Sequence, residues 1–557
     1  MVELVTVLIT VTFASAVWCS ALALRSAKRL WRIETAAFLA EAVGLALILT
    51  VAAGLRFLLI PGHHAMYVDE PWYVEAACNL ARLGQLVVCK ETWTGSVCVP
   101  YEKGIGWPLV LAPWTMIFGC ASSAGIQLTR ILGCSSVLLA AAAARLAGGN
   151  WRHGFLAAGL LAIHPLHVAW SATAETNVAA ATALLAGLCG ALALVHSASV
   201  PAAALATSAF GLAAAIRPET ALPGVVAGII AGATAPLARP RRLALVAAIG
   251  LSCLAGAASG SRLWSMNESI SAGAFLKLSN VLPNLRAIQH RDLLAIHAVV
   301  LALAIAGSTM LVRRRRSTAG FLLLSTAIAA ALIALTYDRF HPRMLLSATV
   351  ALVPLCSFGC VGSRGNRVVR RSILAALLLV LVGIVWRPAL QAASTIPETQ
   401  LLETRIAARA GRLPLAANAL IIAKQPAILA ATGVQHVMPT EDALSDTKQL
   451  QILVDGERPV LFLCDMYCET DFQGAAGPAF CRQILQRFAL QPVVEEALNA
   501  RTYGLYRIAG DREPNAPPLQ CPIAPPHTPP TRNEPSREGT PPERNADDHA
   551  AASNGAS

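Results

Sequence analysis

The chain has 557 residues, 55% of them apolar and 14% charged, with a formal net charge of +12. With a positive mean hydropathy, this excludes an ordinary soluble globular protein and predicts a polytopic, mostly α-helical, multi-pass protein of the cell membrane. The basic residues fall in short clusters between apolar runs, which points to membrane lipids rather than nucleic acid as their partner.

Runs able to cross about 30 Å of hydrocarbon as helices occur near 4–24, 35–60, 124–147, 154–170, 178–195, 200–216, 220–237, 243–261, 292–312, 319–336, 344–361 and 372–387. That is roughly twelve spans. The clusters Arg25-Lys28-Arg29-Arg32, Arg239-Arg241-Arg242, Arg313 to Arg316 and Arg364-Arg367-Arg370-Arg371 belong on the cytoplasmic side by the positive-inside rule. The first run has a basic cluster after it and none before, the reverse of a secretory signal peptide, so it reads as a span with its N-terminus outside. On that parity 61–106, 262–291, 336–343 and everything after 387 face outwards. The short, proline-containing run 107–119 reads as re-entrant or interfacial; the alternative is that it crosses and the pair around Arg217 does not.

The outer loop 61–106 gathers the polar chemistry. Pro71 near the start of WYVEAACNLARLG, Gly84 at its end and an apolar face of Tyr73, Val74, Ala77, Leu80 and Ala81 predict a helix lying along the membrane surface. Asp69 and Glu70 stand at its N-terminal end, where the helix dipole favours ionised carboxylates. An aspartate there is also an ordinary N-cap. Tyr101-Glu102-Lys103-Gly104 brings further charge to the same depth. Cys89 and Cys98 bracket the polar loop KETWTGSV and are expected to form a disulfide in an oxidising compartment. Cys19, Cys134, Cys189, Cys253, Cys356 and Cys360 sit in apolar runs as small core residues.

After the last span, helical stretches at 401–412, 445–454 and 478–488 alternate with the strand-like runs NALIIAK, VLFLCD, VVEEAL and YGLYRI. They predict a small soluble α/β domain. Cys464, Cys468 and Cys481 could bind metal, but no His lies close and disulfide pairing is simpler. The organisation is a first span and basic loop (1–34), a membrane domain (35–395), an outer α/β domain (396–510) and a disordered Pro-rich tail (511–557).

VDEPWYVEAACNLARLG, YEKGIGWPLVLAPWTMIFG, HPLHVAWSATAETNVAAATALL, GLAAAIRPETAL and DRFHPRMLLSATVALVPL, in this order within 35–390, resemble the membrane glycosyltransferases of the C-type fold. The nearest branch holds the protein O-mannosyltransferases and lipid A aminoarabinose transferases. The chain departs from the pattern at Lys-Gly-Ile-Gly-Trp-Pro, where relatives carry His-Pro-Pro or Lys-Pro-Pro, and at Glu175, where they tend to carry Asp. The resemblance implies a polyprenyl-phosphate-linked sugar as donor, a lipid, glycan or protein acceptor, and inversion at the anomeric carbon. Asp69 carries over as the catalytic base, with Glu70 beside it either positioning the base or structural.

A lipid phosphate leaving group calls for cations. Arg339 and Arg343 in DRFHPR come first, then Lys103 and Arg217, though Arg217 also fits a snorkelling residue at a span end. His341 reads as a loop residue. Glu102, Glu175, Tyr67 and Trp72 are candidate substrate contacts. Trp93 and Trp107 share the aromatic role, with interfacial anchoring as the alternative. No cofactor is required, and a divalent metal is not excluded. The rival reading is a secondary transporter or flippase of a glycolipid, which would be expected to show two matching halves; no such repeat is found.

Overall fold

A computed structural model of the chain describes residues 35–59, 69–93, 95–101, 103–264, 277–289, 294–336, 342–361, 405–414, 418–424, 429, 434, 436–465, 468, 476–498 and 501–513. The expected spans at 4–24 and 372–387 and the tail from 514 lie outside these residues.

The membrane part begins with α1 (Thr35–Ala53), continued by a π-helical turn, Gly54–Leu59. The outer segment follows as α2 (Asp69–Leu83), the hairpin β1 (Val87–Thr92) and β2 (Gly95–Pro100), and α3 (Gly106–Phe118). The bundle then runs through α4 (Ser122–Leu146), α5 (Trp151–Ile163), α6 (Pro165–Trp170), α7 (Thr176–His196), α8 (Val200–Ile216), α9 (Ala221–Thr234) and α10 (Arg239–Trp264). It is completed by α11 (Val281–Gln289), α12 (Leu294–Arg313), α13 (Ser317–Thr336) and α14 (Leu346–Val361). Six stretches are long and apolar enough to cross a membrane: 41–59, 122–146, 176–196, 239–259, 317–336 and 343–361. Among the described residues these six, with shorter apolar helices at 106–118, 200–216 and 299–313, stand against the twelve expected. Small residues let the helices approach closely: a Cβ at Gly190 of α7 would meet the Ala206 nitrogen of α8 at 2.6 Å.

The helix α3 has 13 residues, about 20 Å at 1.5 Å per residue, too short to cross. The expected span 154–170 is broken in two. Pro165 has no N–H and its ring cannot follow the preceding turn, so α5 stops at Ile163 and α6 starts afresh, with His164 extended between them (ψ 115°).

That break frees carbonyls inside the bundle, and a residue from the π turn after α1 meets them. Arg56, fully buried in the π turn, donates from Nη1 to Ala162 O (3.1 Å) and Ala52 O (3.0 Å). Its Nη2 reaches Leu161 O (3.4 Å) and lies 2.8 Å from His167 Nδ1, and Nε donates to Ser171 Oγ (3.3 Å). His167 Nε2 is in turn 3.0 Å from Ser136 Oγ on α4. Three helices are therefore fixed around one guanidinium.

Beyond the bundle, β3 (Leu420–Ala423), β4 (Val437–Pro439), β5 (Val460–Cys464), β6 (Phe488–Leu498) and β7 (Arg501–Asp511) form one mixed sheet in the order β4-β3-β5-β7-β6. The first three are parallel, and β7 runs antiparallel to both β5 and β6. Alternate residues feed two cores. Ile421, Leu461 and Leu463 pack on one face with Ile406 and Leu505. Leu420, Ile422 and Phe462 pack on the other with Ile484 and Phe488, as a strand's two-residue period requires when both faces are covered. Cys468 bonds Cys481, and Cys464 is also in a disulfide. Asp511 belongs to β7, and Arg512 donates to Leu485 O (2.7 Å), so the domain runs past the expected boundary at 510.

Replacing Arg56 with Met should lower stability by at least about 2 kcal/mol, since each buried carbonyl left unpaired costs about 1–3 kcal/mol. Thermal unfolding in detergent measures it, and an unchanged midpoint would contradict the role given to Arg56.

Candidate active site

The site is assembled where the outer segment meets the α6–α7 corner. α2 starts at Asp69, has Pro71 in its first turn, and stops at Gly84, whose φ of 66° and N–H bonded to Leu80 O (3.0 Å) close the last turn. Its buried face carries Tyr73, Val74, Ala76, Ala77 and Cys78, packed against Trp107 and Leu111 of α3 and Ile126 of α4. Asp69 is thus left at the exposed end of a well-anchored helix.

Glu70 turns inward and is fully buried. Its Oε2 accepts the Ala174 N–H at 3.0 Å, while the Ala174 carbonyl accepts Trp107 Nε1–H at 2.8 Å. The two peptide groups flanking Ala174 at the α6–α7 corner are therefore both held by the outer segment. This corrects the sugar-stacking role considered for Trp107, which has no exposed surface. Glu70 is thereby tied to the backbone of the α6–α7 corner.

Next to Ala174, Glu175 is 1% exposed, and its Oε1 lies 3.5 Å from Arg343 Nη1. Arg343 comes from the 3-10 turn Pro342–Leu345 before α14, and its guanidinium lies over the Trp170 ring, 4.8 Å from the centroid. Lys103, between β2 and α3, forms an ion pair with Asp69 and stands 4.8 Å from the centre of the Trp72 ring and 5.5 Å from that of Tyr73. Arg217, at the end of α8, pairs with Glu219 and donates from Nη1 to Asn177 Oδ1 (2.6 Å) and Thr176 Oγ1 (3.3 Å). This ties it to the start of α7 as well as to a span end.

The charges interact as a group. Burial pushes the Asp69 carboxyl up, but the Lys103 ammonium, with Arg343 and Arg217 behind it, outweighs burial and holds it below its ordinary value. Burial raises Glu175 to about 7 against the pull of Arg343, with Asp69 and Glu70 adding to the rise. Burial also lifts the Tyr73 and Tyr101 hydroxyls well above the usual phenol range. Of the residues expected at the site, Asp69, Glu70, Trp72, Lys103, Glu175, Arg217 and Arg343 come together. Tyr67, Glu102, Arg339 and His341 lie outside the described residues. Among the described residues no group of three or more His, Cys, Asp or Glu side chains is placed to hold a metal ion.

Cys89 and Cys98 face each other across the hairpin and are joined by a disulfide. A second disulfide, Cys78–Cys120, ties α2 to the loop after α3. Sequence reasoning missed it, although 61–120 contains just these four cysteines, and pairing the middle two leaves the outer two. The hairpin was read as a polar loop. In the structure it packs Trp93 against a core of the C-terminal domain.

No protein-family model matches the chain, and no curated protein matches it in sequence. Solved structures do match in fold. ArnT from Cupriavidus metallidurans bound to undecaprenyl phosphate superposes with a TM-score of 0.53 at 15% identity, covering 83% of this chain and 97% of that one. Its apo state gives 0.54 at 15% identity, covering 84% and 99%. The apo oligosaccharyltransferase from Archaeoglobus fulgidus gives 0.50 at 12% identity, covering 77% and 70%. The chain has the C-type glycosyltransferase fold. In this C-type framework the glycines of Lys-Gly-Ile-Gly-Trp-Pro have a clear reason. A Cβ at Gly104 would meet Ile216 O at 2.6 Å, and one at Gly106 would meet Ile216 N at 2.6 Å. The segment carrying Lys103 runs directly against the backbone at the end of α8, leaving no room for a side chain.

Gly106→Ala should therefore cost about 1–3 kcal/mol, the usual penalty for overpacking. Gly159→Ala, mid-helix with nothing near its Cβ, should be neutral or stabilising. Unfolding midpoints of the two variants side by side test the contrast, and equal effects would refute it.

Proposed function

We propose that the protein is a membrane glycosyltransferase that moves a sugar from a polyprenyl-phosphate donor to an acceptor hydroxyl with inversion, on the extracytoplasmic side. The observation that carries the reading is Asp69, kept ionised by Lys103 at the mouth of a cluster that also holds Arg343 and Glu175, on a C-type fold. The Cys78–Cys120 and Cys89–Cys98 disulfides fit an oxidising compartment for this segment.

In the proposed reaction the acceptor oxygen attacks the anomeric carbon from the face opposite the phosphate. The bond from that carbon to the phosphate oxygen breaks with its electron pair passing to the phosphate, and the acceptor proton passes to Asp69. Negative charge grows on the phosphate oxygens, and Arg343, held in place on Trp170, stabilises it. Lys103 orients Asp69 and adds positive charge nearby. Trp72, one face of which lies towards Lys103, flanks this pair. The acceptor is a lipid, glycan or protein that carries the attacking hydroxyl.

Asp69→Asn should reduce turnover by about 10²- to 10⁴-fold, the usual weight of a general base, with the protein still folded. The assay is transfer from polyprenyl-phosphate sugars by the purified protein. A variant retaining full turnover would sink the assignment of Asp69, and movement of a glycolipid without transfer would favour a flippase. Because Asp69 is held below its ordinary value of 3.8, its loss of charge should limit the rate only below that pH. Any limb of the pH profile near neutrality must come from another group.

A further inference from the structure

We infer that Glu175 gives up Arg343 to the donor phosphate and takes up a proton as it does so, making Glu175 the residue that couples donor binding to pH. The inference rests on the donor class proposed above and extends it to a residue with no part in bond making.

The geometry favours an exchange. Glu175 and Arg343 form a loose pair at 3.5 Å, and Glu175 Oε1 accepts no hydrogen bond among the described residues. A two-pronged arginine fork would be shorter and harder to open. The two side chains also differ in access: 17% of Arg343 is exposed against 2% of Glu175. An incoming phosphate therefore reaches the guanidinium from the open side, with the carboxylate behind it. Arg343 need not travel, since the Trp170 ring holds the guanidinium plane.

Once Arg343 is shared with an anion, Glu175 is a buried carboxylate in poor company. Facing it from α2 are Asp69, Glu70 and the Tyr73 hydroxyl; from the β2–α3 segment come Lys103 and Tyr101; Arg217 stands near the start of α7. Lys103 is committed to Asp69, and Arg217 to Glu219 and Asn177. Two carboxylates and a phosphate then oppose the charge on Glu175, and protonation relieves it. Already near neutrality while Arg343 is its partner, the group moves further up when that partner is shared.

The sign of the linkage follows. Donor binding raises the affinity of Glu175 for a proton, so donor affinity falls as pH rises above about 7, by up to about tenfold per unit, until the pKa of the bound state is passed. Below that range the carboxyl is protonated in both states and affinity is flat.

The test is calorimetric titration of the intact protein with a prenyl methyl phosphodiester, whose single charge does not titrate near neutrality. Binding is measured between pH 6 and 9 in buffers of differing protonation enthalpy. Expected are net proton uptake near pH 7.5, falling affinity at higher pH, loss of both in Glu175→Gln, and loss of binding in Arg343→Gln. Binding of the wild type without proton uptake, or uptake that persists in Glu175→Gln, overturns the inference and leaves the proposed function standing. Failure of the wild type to bind the phosphodiester at any pH overturns both.

Discussion

Everything at the candidate site depends on the backbone of a single residue, Ala174, whose N–H is held by Glu70 and whose carbonyl is held by Trp107. The α6–α7 corner would otherwise present unpaired backbone groups at a helix junction inside the protein, an arrangement that native structures avoid. A hydrogen bond to a buried carboxylate contributes about 1.5–3 kcal/mol, more than a neutral one. The same contact fixes relative position: Asp69 precedes Glu70, and Glu175 follows Ala174. The proposed base, Asp69, and the ion-pair partner of Arg343, Glu175, are thus each one residue from these contacts. The distance between two chemical groups on different elements is set by a bond that neither of them makes.

The second support comes from the opposite end of α6. Pro165 breaks a helix that hydropathy alone would continue, and Arg56 satisfies the carbonyls so released. Buried charge within a membrane bundle is costly, and this one is surrounded by acceptors from three helices. Its reward is a rigid, sharply placed short helix: Ser171 at its end bonds to Arg56, and Trp170 beside it carries the Arg343 guanidinium. α6 is therefore held along its length by the guanidinium of the π turn, which reaches carbonyls before it, His167 within it and Ser171 after it, and is bounded at its C-terminal end by the Ala174 contacts.

Local pattern made part of this legible in the sequence. α2, its dipole-facing acids and its stop at Gly84 follow from residues within one helix, and the β3, β5 and β7 strands from short strand-like runs of a few residues. The Cys89–Cys98 bond was visible because both cysteines flank one short loop. What was not legible depends on contacts across 40 to about 110 positions of sequence, a separation at which periodicity carries no information. Glu70 was ambiguous because its partner is a backbone group 104 positions away. Trp107 suited a sugar platform by type and failed by burial. Arg56 lies inside an apolar run, where its only sequence signal is an arginine in one span and a proline break in a later one, two segments that share one polar cluster in the structure. β4, three residues long, is too short to show any alternation.

An aspartate held below its ordinary pKa runs against Brønsted behaviour, which favours a catalytic pKa near the working pH. The reaction proposed for this site removes the conflict. An acceptor hydroxyl becomes acidic only as its oxygen bonds to an electron-poor anomeric carbon, late in the transfer, so a weak base suffices when it is correctly placed and ionised at every pH of interest. Lys103 meets both needs, fixing the carboxylate and keeping it charged. A stronger base would demand removing Lys103, and the cluster already holds Glu70 and Glu175 beside Asp69. Without that ammonium the pull that offsets burial at Asp69 would be lost and its carboxyl would move up. Placement of charge, more than basicity of any one group, is what this arrangement of residues supplies.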